Sequence, residues 1–242
     1  MNNQSSVLSP RALEVGQNLD KIRKVLIGKT KLIAVSKTFP LSDIYLAYQS
    51  GQRDFGENRI QELQEKSFEW EKTYPDCEIR WHFIGHLQSN KMKLLLKIPQ
   101  LFAIHSLDSM KLVKLMAKEV LSLKIEAPNF FLQINTSGEE QKGGFHHFED
   151  VSETLEWINK ESLSLKNKFL GLMTLSKLSK DHYEDEASLC FKKLAELKVQ
   201  LEKKFKYQNL KLSMGMSDDF LVALSVGTDY VRIGSKIFGT RT

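Results

Sequence analysis

The sequence predicts an α/β protein that closes into a single (β/α)8 TIM barrel, with an extra helix before the first strand. Eight short runs of Val, Ile, Leu and Phe alternate with longer stretches in which apolar residues recur three and four positions apart, as on one face of a helix. Strands separated by helices pair in parallel, because parallel neighbours need a crossover connection. The length of 242 residues is typical of one such barrel.

The predicted elements follow from this periodicity in order. The extra helix, Pro10–Ile27, has Ser9 as its N-cap and proline at its first position. The predicted strands are Lys31–Lys37, Arg53–Gly56, Ile79–Gly85, Leu101–Ser106, Asn129–Thr136, Phe169–Ser176, Lys211–Met216 and Tyr230–Ile233. The predicted helices between them are Leu41–Ser50, Arg59–Tyr74, Ser89–Lys97, Ser109–Lys124, Phe148–Ser162, Asp181–Lys206 and Asp218–Val226. No Pro/Ser-rich linker interrupts this order, so we expect residues 1–242 to form one domain; an open, doubly wound sheet is the alternative fold.

Composition narrows the class of protein. Hydrophobic residues make up 41% and charged residues 27% of the chain, which is typical of a globular domain. No apolar run approaches the roughly 18–20 residues of a membrane span, and the first twenty residues lack a signal-peptide core. Cys77 and Cys190 lie far apart, which argues against a disulfide framework or a metal cluster. We therefore expect a cytoplasmic protein without a membrane partner.

The net charge of +5 raises the question of nucleic-acid binding. Lysines alternate with acidic residues along the helical stretches, for example in residues 184–198, which is typical of a solvated helix surface. We expect no nucleic-acid partner. A basic excess also favours an anionic small ligand.

Lys37 is the first candidate site residue. It ends the first predicted strand, and the chain turns directly after it at Thr38, Phe39 and Pro40. A lysine held at a strand mouth is suitably placed to attack a carbonyl and form a Schiff base. Lysine is common in this chain, so the position alone does not establish the role.

A candidate anion site follows the last two strands. Gly215 and Gly234 would let backbone N–H groups approach an anion, and Ser217 and Ser235 would add hydroxyl donors. Phosphate sites after strands seven and eight recur in β/α barrels. The alternative is that the glycines are turn residues and Ser217 is an ordinary N-cap. Together with Lys37, the phosphate interpretation favours a site for pyridoxal 5'-phosphate (PLP).

Arg232 alternates with two apolar residues on the last strand, so its side chain should point into the barrel. A buried guanidinium needs an acceptor. That acceptor is either a barrel carboxylate or a ligand atom such as a pyridine nitrogen. The histidines His82 and His86 do not predict a metal site, because no third ligand is placed near them.

These residues lie in motifs that resemble the YggS/PROSC family of pyridoxal phosphate homeostasis proteins. The matching stretches are A-V-S-K (34–37), F-G-E-N (55–58) with Q-E (61–62), W-H-F-I-G-H-L-Q-S-N-K (81–91), I-H-S-L-D (104–108), G-L-M-T (171–174), S-M-G-M-S-D-D-F (213–220) and V-R-I-G-S-K-I-F-G-T-R (231–241). The resemblance covers the chain from Lys31 to Arg241. Ser235 departs from the threonine usual in the family but keeps the hydroxyl.

The resemblance implies an alanine racemase N-terminal-domain-like barrel that carries PLP on Lys37. It also implies that Ser217, Gly234 and Ser235 hold the phosphate, that Arg232 faces the pyridine nitrogen and that Asn58 lines the site. A guanidinium stays protonated and cannot give the ring nitrogen a proton, so the ring would be a weak electron sink.

The expected function is therefore PLP homeostasis (storage, buffering or delivery) without robust catalysis, by a monomer that contacts PLP-dependent apoenzymes at most transiently. The alternative is a PLP-dependent amino-acid racemase. Racemisation uses two opposed bases, and in alanine racemase the second base comes from a partner subunit in an assembly that includes a C-terminal β-domain. Because the sequence ends at Thr242, shortly after the eighth predicted strand, we expect that domain to be missing and place the racemase second.

Overall fold

The computed structural model is a closed barrel of eight parallel strands in the order β1 to β8, with β8 pairing back to β1. It describes residues 9–139, 141–177 and 183–240. The strands are β1 Lys31–Val35, β2 Asp54–Glu57, β3 Arg80–Phe83, β4 Leu101–Leu107, β5 Asn129–Gln133, β6 Phe169–Met173, β7 Lys211–Ser213 and β8 Tyr230–Ile233. The predicted (β/α)8 barrel is confirmed, and the open-sheet alternative is wrong because β1 and β8 pair over four residues.

Helices follow the strands and cover the outside of the barrel. They are α1 Pro10–Val25, α2 Leu41–Gln49, α3 Ile60–Thr73, a 3₁₀ turn Ser89–Lys91, α4 Met92–Leu95, α5 Met110–Leu123, α6 Phe148–Glu161, α7 Leu163–Lys166, α8 Tyr183–Phe205, α9 Phe220–Val226 and α10 Ser235–Phe238. The two short helices α7 and α10 were not predicted. The first two residues of the predicted helix Asp181–Lys206 lie outside the described residues, as do residues 1–8 and 241–242. The single domain expected over residues 1–242 therefore stays a prediction.

Two apolar layers separate at the strands, as the alternation of side chains requires. On β1, Leu32 and Ala34 pack outward against the helices in the main core. Ile33 points inward and packs with Phe131, Tyr230 and other side chains in a small cluster inside the barrel. Trp81 and Phe83, which flank His82, lie in the outer core. Inward-facing side chains therefore fill the interior of the barrel along its axis.

The extra helix α1 holds the segment that follows β8. Its N-cap is confirmed, because the Ser9 hydroxyl accepts a hydrogen bond from the Ala12 N–H at 3.2 Å. Arg11 donates to the carbonyl oxygen of Phe238 at 2.8 Å, and Asn18 donates to that of Ile237 at 3.1 Å. Helix α1 thereby fixes α10, which begins at Ser235 directly after Gly234.

Within the part of the chain that the structure describes, every helix is too short or too polar to cross a lipid bilayer.

Candidate functional site

A cavity of about 540 Å³ lies at the carboxyl ends of the barrel strands, the end at which β/α barrels bind their ligands. The residues that line it are Val35, Lys37, Phe39, Asn58, Ile84, Gly85, Leu175, Met216, Ser217, Asp218, Arg232, Gly234, Ser235, Gly239 and Thr240. Six of the seven predicted site residues are among them, and the exception is Gly215. The structure thus brings together residues from the first, second, seventh and eighth strand ends.

Lys37 lies two residues beyond β1, where the backbone bends. Thr38, the next residue, has φ +70°, a conformation that residues with a side chain seldom adopt. The predicted strand Lys31–Lys37 was therefore too long at its end. The side chain of Lys37 is partly buried at the cavity wall.

A buried ion network holds the backbone on both sides of Lys37. The Lys66 ammonium on α3 donates to Glu57 at 2.8 Å, to Glu62 at 2.7 Å and to the carbonyl oxygen of Ser36 at 2.9 Å. The Ser36 hydroxyl donates to Glu57 at 2.7 Å, and the Thr38 N–H donates to Glu62 at 2.5 Å. Lys37 therefore sits between two residues that are both tied to α3.

The two carboxylates of this network differ in environment. Burial raises the pKa of Glu57, and the charge of Lys66 offsets this only in part. Burial also works against the charge of Glu62, but hydrogen bonds from Lys66 and the Thr38 N–H outweigh it and lower the pKa of Glu62. The sequence analysis did not identify Lys66. The spacing of Glu62 and Lys66, four apart on one helix, was the available signal.

The predicted anion site is formed by N–H groups and hydroxyls of two turns. The backbone N–H groups of Ser217, Asp218 and Ser235 donate to no acceptor in the described part of the chain, and all three residues line the cavity. The predicted helix Asp218–Val226 begins only at Phe220, so the alternative that Ser217 is an N-cap is wrong. Ser217 lies in the turn before that helix.

The two glycines of this region have packing roles. Gly215 has φ +96°, and a Cβ there would lie 2.7 Å from the Cβ of Ala223, so the strand-to-helix turn requires glycine. Gly234 lies against β1, where a Cβ would be 2.9 Å from the carbonyl oxygen of Val35. Gly85 plays a similar part for Asn58, since a Cβ would overlap the Asn58 carbonyl at 2.0 Å. Close backbone packing therefore sets the shape of the cavity wall.

The two aspartates beside the predicted anion site lie in different environments. Asp219 is buried, and its carboxylate accepts hydrogen bonds from the Met216 N–H and the Ser176 hydroxyl, both at 2.5 Å. Asp219 thereby closes the turn that carries Ser217. Asp218 is exposed to solvent at the rim of the cavity.

Arg232 is buried and points into the barrel, as its alternation on β8 predicts. Its partners are neutral: it donates to the Ser213 hydroxyl at 2.7 Å and to the carbonyl oxygen of Thr174 at 2.9 Å. Burial lowers the pKa of Arg232 to about 10, so the guanidinium stays charged at neutral pH. Two of its five N–H groups are engaged by these acceptors, and the side chain also lines the cavity.

Other polar residues at the predicted strand ends lie outside the cavity lining. Asn135 is bound to its own loop through the carbonyl oxygens of Glu139 and Lys142, both at 2.8 Å. His105 lies deep in the barrel, and the side chain of His86 is 73% exposed. Among the described residues, no group of three His, Cys, Asp or Glu side chains is arranged to hold a metal ion.

The donor set of this cavity fits PLP. Backbone N–H groups and serine hydroxyls at one wall suit a phosphate dianion. A primary amine, Lys37, suits an aldehyde, and a charged donor, Arg232, suits the unprotonated ring nitrogen of a pyridine. The cavity volume lies within the range of cofactor sites.

Comparison with known proteins places the chain in a family. A family model described as alanine racemase, N-terminal domain, matches residues 13–242. The pyridoxal phosphate homeostasis protein of Schizosaccharomyces pombe is 39% identical over 212 residues, which cover 87% of this chain and 84% of that protein. The human pyridoxal phosphate homeostasis protein is 42% identical over 215 residues, which cover 87% of this chain and 76% of that protein.

Solved structures give the same result. PipY of Synechococcus elongatus, in a structure with PLP bound, superimposes with a TM-score of 0.81 at 30% identity and covers 93% of this chain and 100% of that chain. Alanine racemase from E. faecalis superimposes with a TM-score of 0.69 at 14% identity and covers 95% of this chain and 58% of that chain, a likeness of fold alone. The chain belongs to the alanine racemase N-terminal domain family and, within it, to the pyridoxal phosphate homeostasis proteins.

Proposed function

We propose that this protein binds PLP through a Schiff base on Lys37 and acts in PLP homeostasis, by storing, buffering or delivering the cofactor rather than by catalysis. The single observation that carries the proposal is that Lys37, Ser217, Arg232 and Ser235, contributed by opposite ends of the sequence, line one cavity. The family to which the chain belongs supports the same ligand.

Each side chain has a distinct part in binding. Lys37, whose backbone is tied to α3 on both sides, provides the amine for the aldehyde. Ser217 and Ser235 offer hydroxyls and unengaged N–H groups to the phosphate. Arg232 offers the ring nitrogen a hydrogen bond without giving up its proton. Bound PLP supplies an aldehyde that amines capture reversibly, which suits a carrier.

The racemase remains the second candidate, and the cavity lining disfavours it. Racemisation needs bases on both faces of the α-carbon. The lining residues that the structure describes include no tyrosine, histidine or cysteine, and their single carboxylate, Asp218, is exposed at the rim. Lys37 would then have to act without an opposed base held in the same cavity of this chain.

Trapping of the bound cofactor tests the ligand. Protein incubated with PLP and freed of excess should be yellow, and borohydride followed by peptide mass spectrometry should locate a pyridoxyl group on Lys37. The Lys37→Ala variant should lose the covalent label but keep weaker binding through the phosphate. Lys31→Ala, which removes a lysine at the other end of the same strand, is the matched control and should label fully. A protein that stays colourless after incubation contradicts the proposal.

Incubation with amino acids tests the absence of catalysis. Single enantiomers of alanine and serine, each added to PLP-loaded protein, should show no inversion by chiral chromatography beyond that of free PLP. Robust inversion that disappears in Lys37→Ala would instead establish the racemase.

The cellular setting is part of the same proposal. A carrier of this kind would be a cytoplasmic monomer that meets PLP-dependent apoenzymes transiently. Sedimentation at several concentrations tests the monomer, and transfer of PLP to an apoenzyme, faster than from free solution at the same free PLP concentration, tests delivery.

A further inference from the structure

A line of hydrogen-bonded side chains runs through the barrel interior to Arg232. Asp54 bonds His82 Nε2 at 2.9 Å, and His82 Nδ1 bonds His105 Nε2 at 2.9 Å. His105 Nδ1 bonds the Ser213 hydroxyl at 2.9 Å, and that hydroxyl bonds Arg232 at 2.7 Å. All five side chains are buried. The line begins at the amino ends of the strands and finishes at the cavity.

With both imidazoles neutral, each ring donates one hydrogen bond and accepts one, and the chemistry of the two ends then gives this line one direction. Arg232 can only donate, and an ionised Asp54 can only accept. Ser213 therefore accepts from Arg232 and donates to His105 Nδ1. His105 then donates from Nε2 to His82 Nδ1, and His82 donates from Nε2 to Asp54. Each of the two rings then carries its proton on Nε2.

The surroundings keep the two ends charged and the middle neutral. Burial opposes the charge of Asp54, but hydrogen bonds from Arg80 and His82 outweigh it and hold the pKa of Asp54 well below its usual range. Burial lowers the pKa of His82. Burial lowers the pKa of His105 well below its usual value, and the positive charge of Arg232 acts in the same direction. Each histidine can thus accept one hydrogen bond and donate one.

The line also orients the partners of a buried cation. The direct acceptors of Arg232 are a hydroxyl and a carbonyl, not a carboxylate. A hydroxyl has one proton and two lone pairs, and it can rotate to point either toward a neighbour. Here the histidine lone pair takes the Ser213 proton, so the oxygen lone pairs are left to face the guanidinium.

We propose that Asp54, His82, His105 and Ser213 are positioning residues for the cofactor: their one-way relay holds Arg232 in the orientation in which it donates to the PLP ring nitrogen. This inference rests on the proposed function. It assigns a role to Asp54, at the far end of the barrel, in setting the electronic state of a cofactor that it does not touch. Asp54→Asn replaces a group that can only accept with one that can also donate, so the relay loses its fixed direction and the ring nitrogen's environment should change.

The test compares Asp54→Asn with a matched control, Asp43→Asn. Asp43 is also a buried aspartate paired with an arginine, Arg11, but it lies on α2 outside the barrel interior. Each protein is loaded with PLP labelled with ¹⁵N in the ring. The ring nitrogen resonance and the visible absorption band should shift in Asp54→Asn and match the wild type in Asp43→Asn. If both variants leave the resonance at the wild-type position, the proposal is overturned.

A second measurement uses the protein without cofactor. With ¹⁵N-labelled histidine, the resonances of His82 and His105 should show neutral rings protonated on Nε2. A proton on Nδ1 of either ring overturns the relay. If Asp54→Asn fails to fold, Ser213→Ala replaces it, since it deletes the link beside Arg232 while removing only a hydroxyl. A wild-type protein that takes up no PLP refutes the proposed function and the final step to the ring nitrogen, whereas the histidine spectra still decide whether the relay exists.

Discussion

Replacing His105 with glutamine should change how the stability of the protein depends on pH. His105 is fully buried among His82, Ser213, Arg232 and the stacked ring of Phe131, 4.4 Å away between centroids. Its folded-state pKa is lowered well below its usual value by burial and by neighbouring charge. In the unfolded chain the same imidazole takes up a proton near pH 6.5.

The magnitude follows from this difference between the two states. A histidine that stays neutral when folded contributes stability that is fully present above its unfolded pKa and is lost as pH falls below it, because only the unfolded state gains the proton. One pH unit below the unfolded value, at pH 5.5, the loss is about 1.4 kcal/mol for one such group. The glutamine variant lacks this titration. Its destabilisation relative to the wild type should therefore shrink by about 1.4 kcal/mol between pH 8 and pH 5.5.

Urea unfolding at several pH values measures this difference directly. The free energy of unfolding of wild type and His105→Gln is compared at each pH, so groups that titrate alike in both proteins cancel. Equal m-values are the control that both unfold to the same extent. Parallel stability curves over this range would refute the reasoning, since they would mean that His105 takes up its proton equally in both states.

Three further changes probe the walls of the site. Lys66→Met should lower the free energy of unfolding by about 3–5 kcal/mol, because it leaves Glu57 buried without its cation; thermal unfolding measures this, and an unchanged midpoint contradicts it. Gly215→Ala should lower the free energy of unfolding by about 1–3 kcal/mol, because of the positive φ and the contact with Ala223. Urea unfolding measures this, and a value equal to that of the wild type would show that the turn relaxes freely. Ser235→Ala should weaken PLP binding by about 1 kcal/mol, a factor of about five in Kd; equilibrium dialysis against PLP tests this, and an unchanged Kd would remove that hydroxyl from the anion site.

The barrel could be predicted because its signal is repeated. All eight strands and the long helices lie where apolar periodicity places them, and the errors concern the ends of elements and the short helices α7 and α10. The end of β1 was missed because the backbone turns at Thr38, whose N–H donates to Glu62 on α3, and a pattern of apolar residues contains no information about such a side-chain contact. Helix α10 was missed because four residues are too few to show a period.

The site could be predicted where single residues have distinctive chemistry, as with Lys37 and Arg232. The networks behind them could not, because their members come from distant parts of the chain. A signal was nevertheless present. Asp54, His82 and His105 adjoin Phe55, Trp81 and Ile104, which pack in the outer core, so strand alternation turns the three polar side chains into the barrel. Polar residues buried there need partners. Only the closed barrel, with its register, shows that those partners are each other.

The charge around Arg232 favours holding the cofactor over activating it. A guanidinium with a pKa of about 10 keeps its proton at neutral pH, so it can donate to a ring nitrogen but cannot protonate it. The charge of Asp219 acts on Arg232, but the Asp219 carboxylate accepts hydrogen bonds from the Met216 N–H and the Ser176 hydroxyl. The second carboxylate, Asp54, lies at the far end of the relay and bonds His82. No carboxylate of the described cavity lining is thus placed to give the ring the proton that makes it a strong electron sink. Bound PLP would keep an aldehyde with affinity for amines while its ring would contribute little to breaking bonds at an amino acid, which is the combination that a carrier of PLP requires.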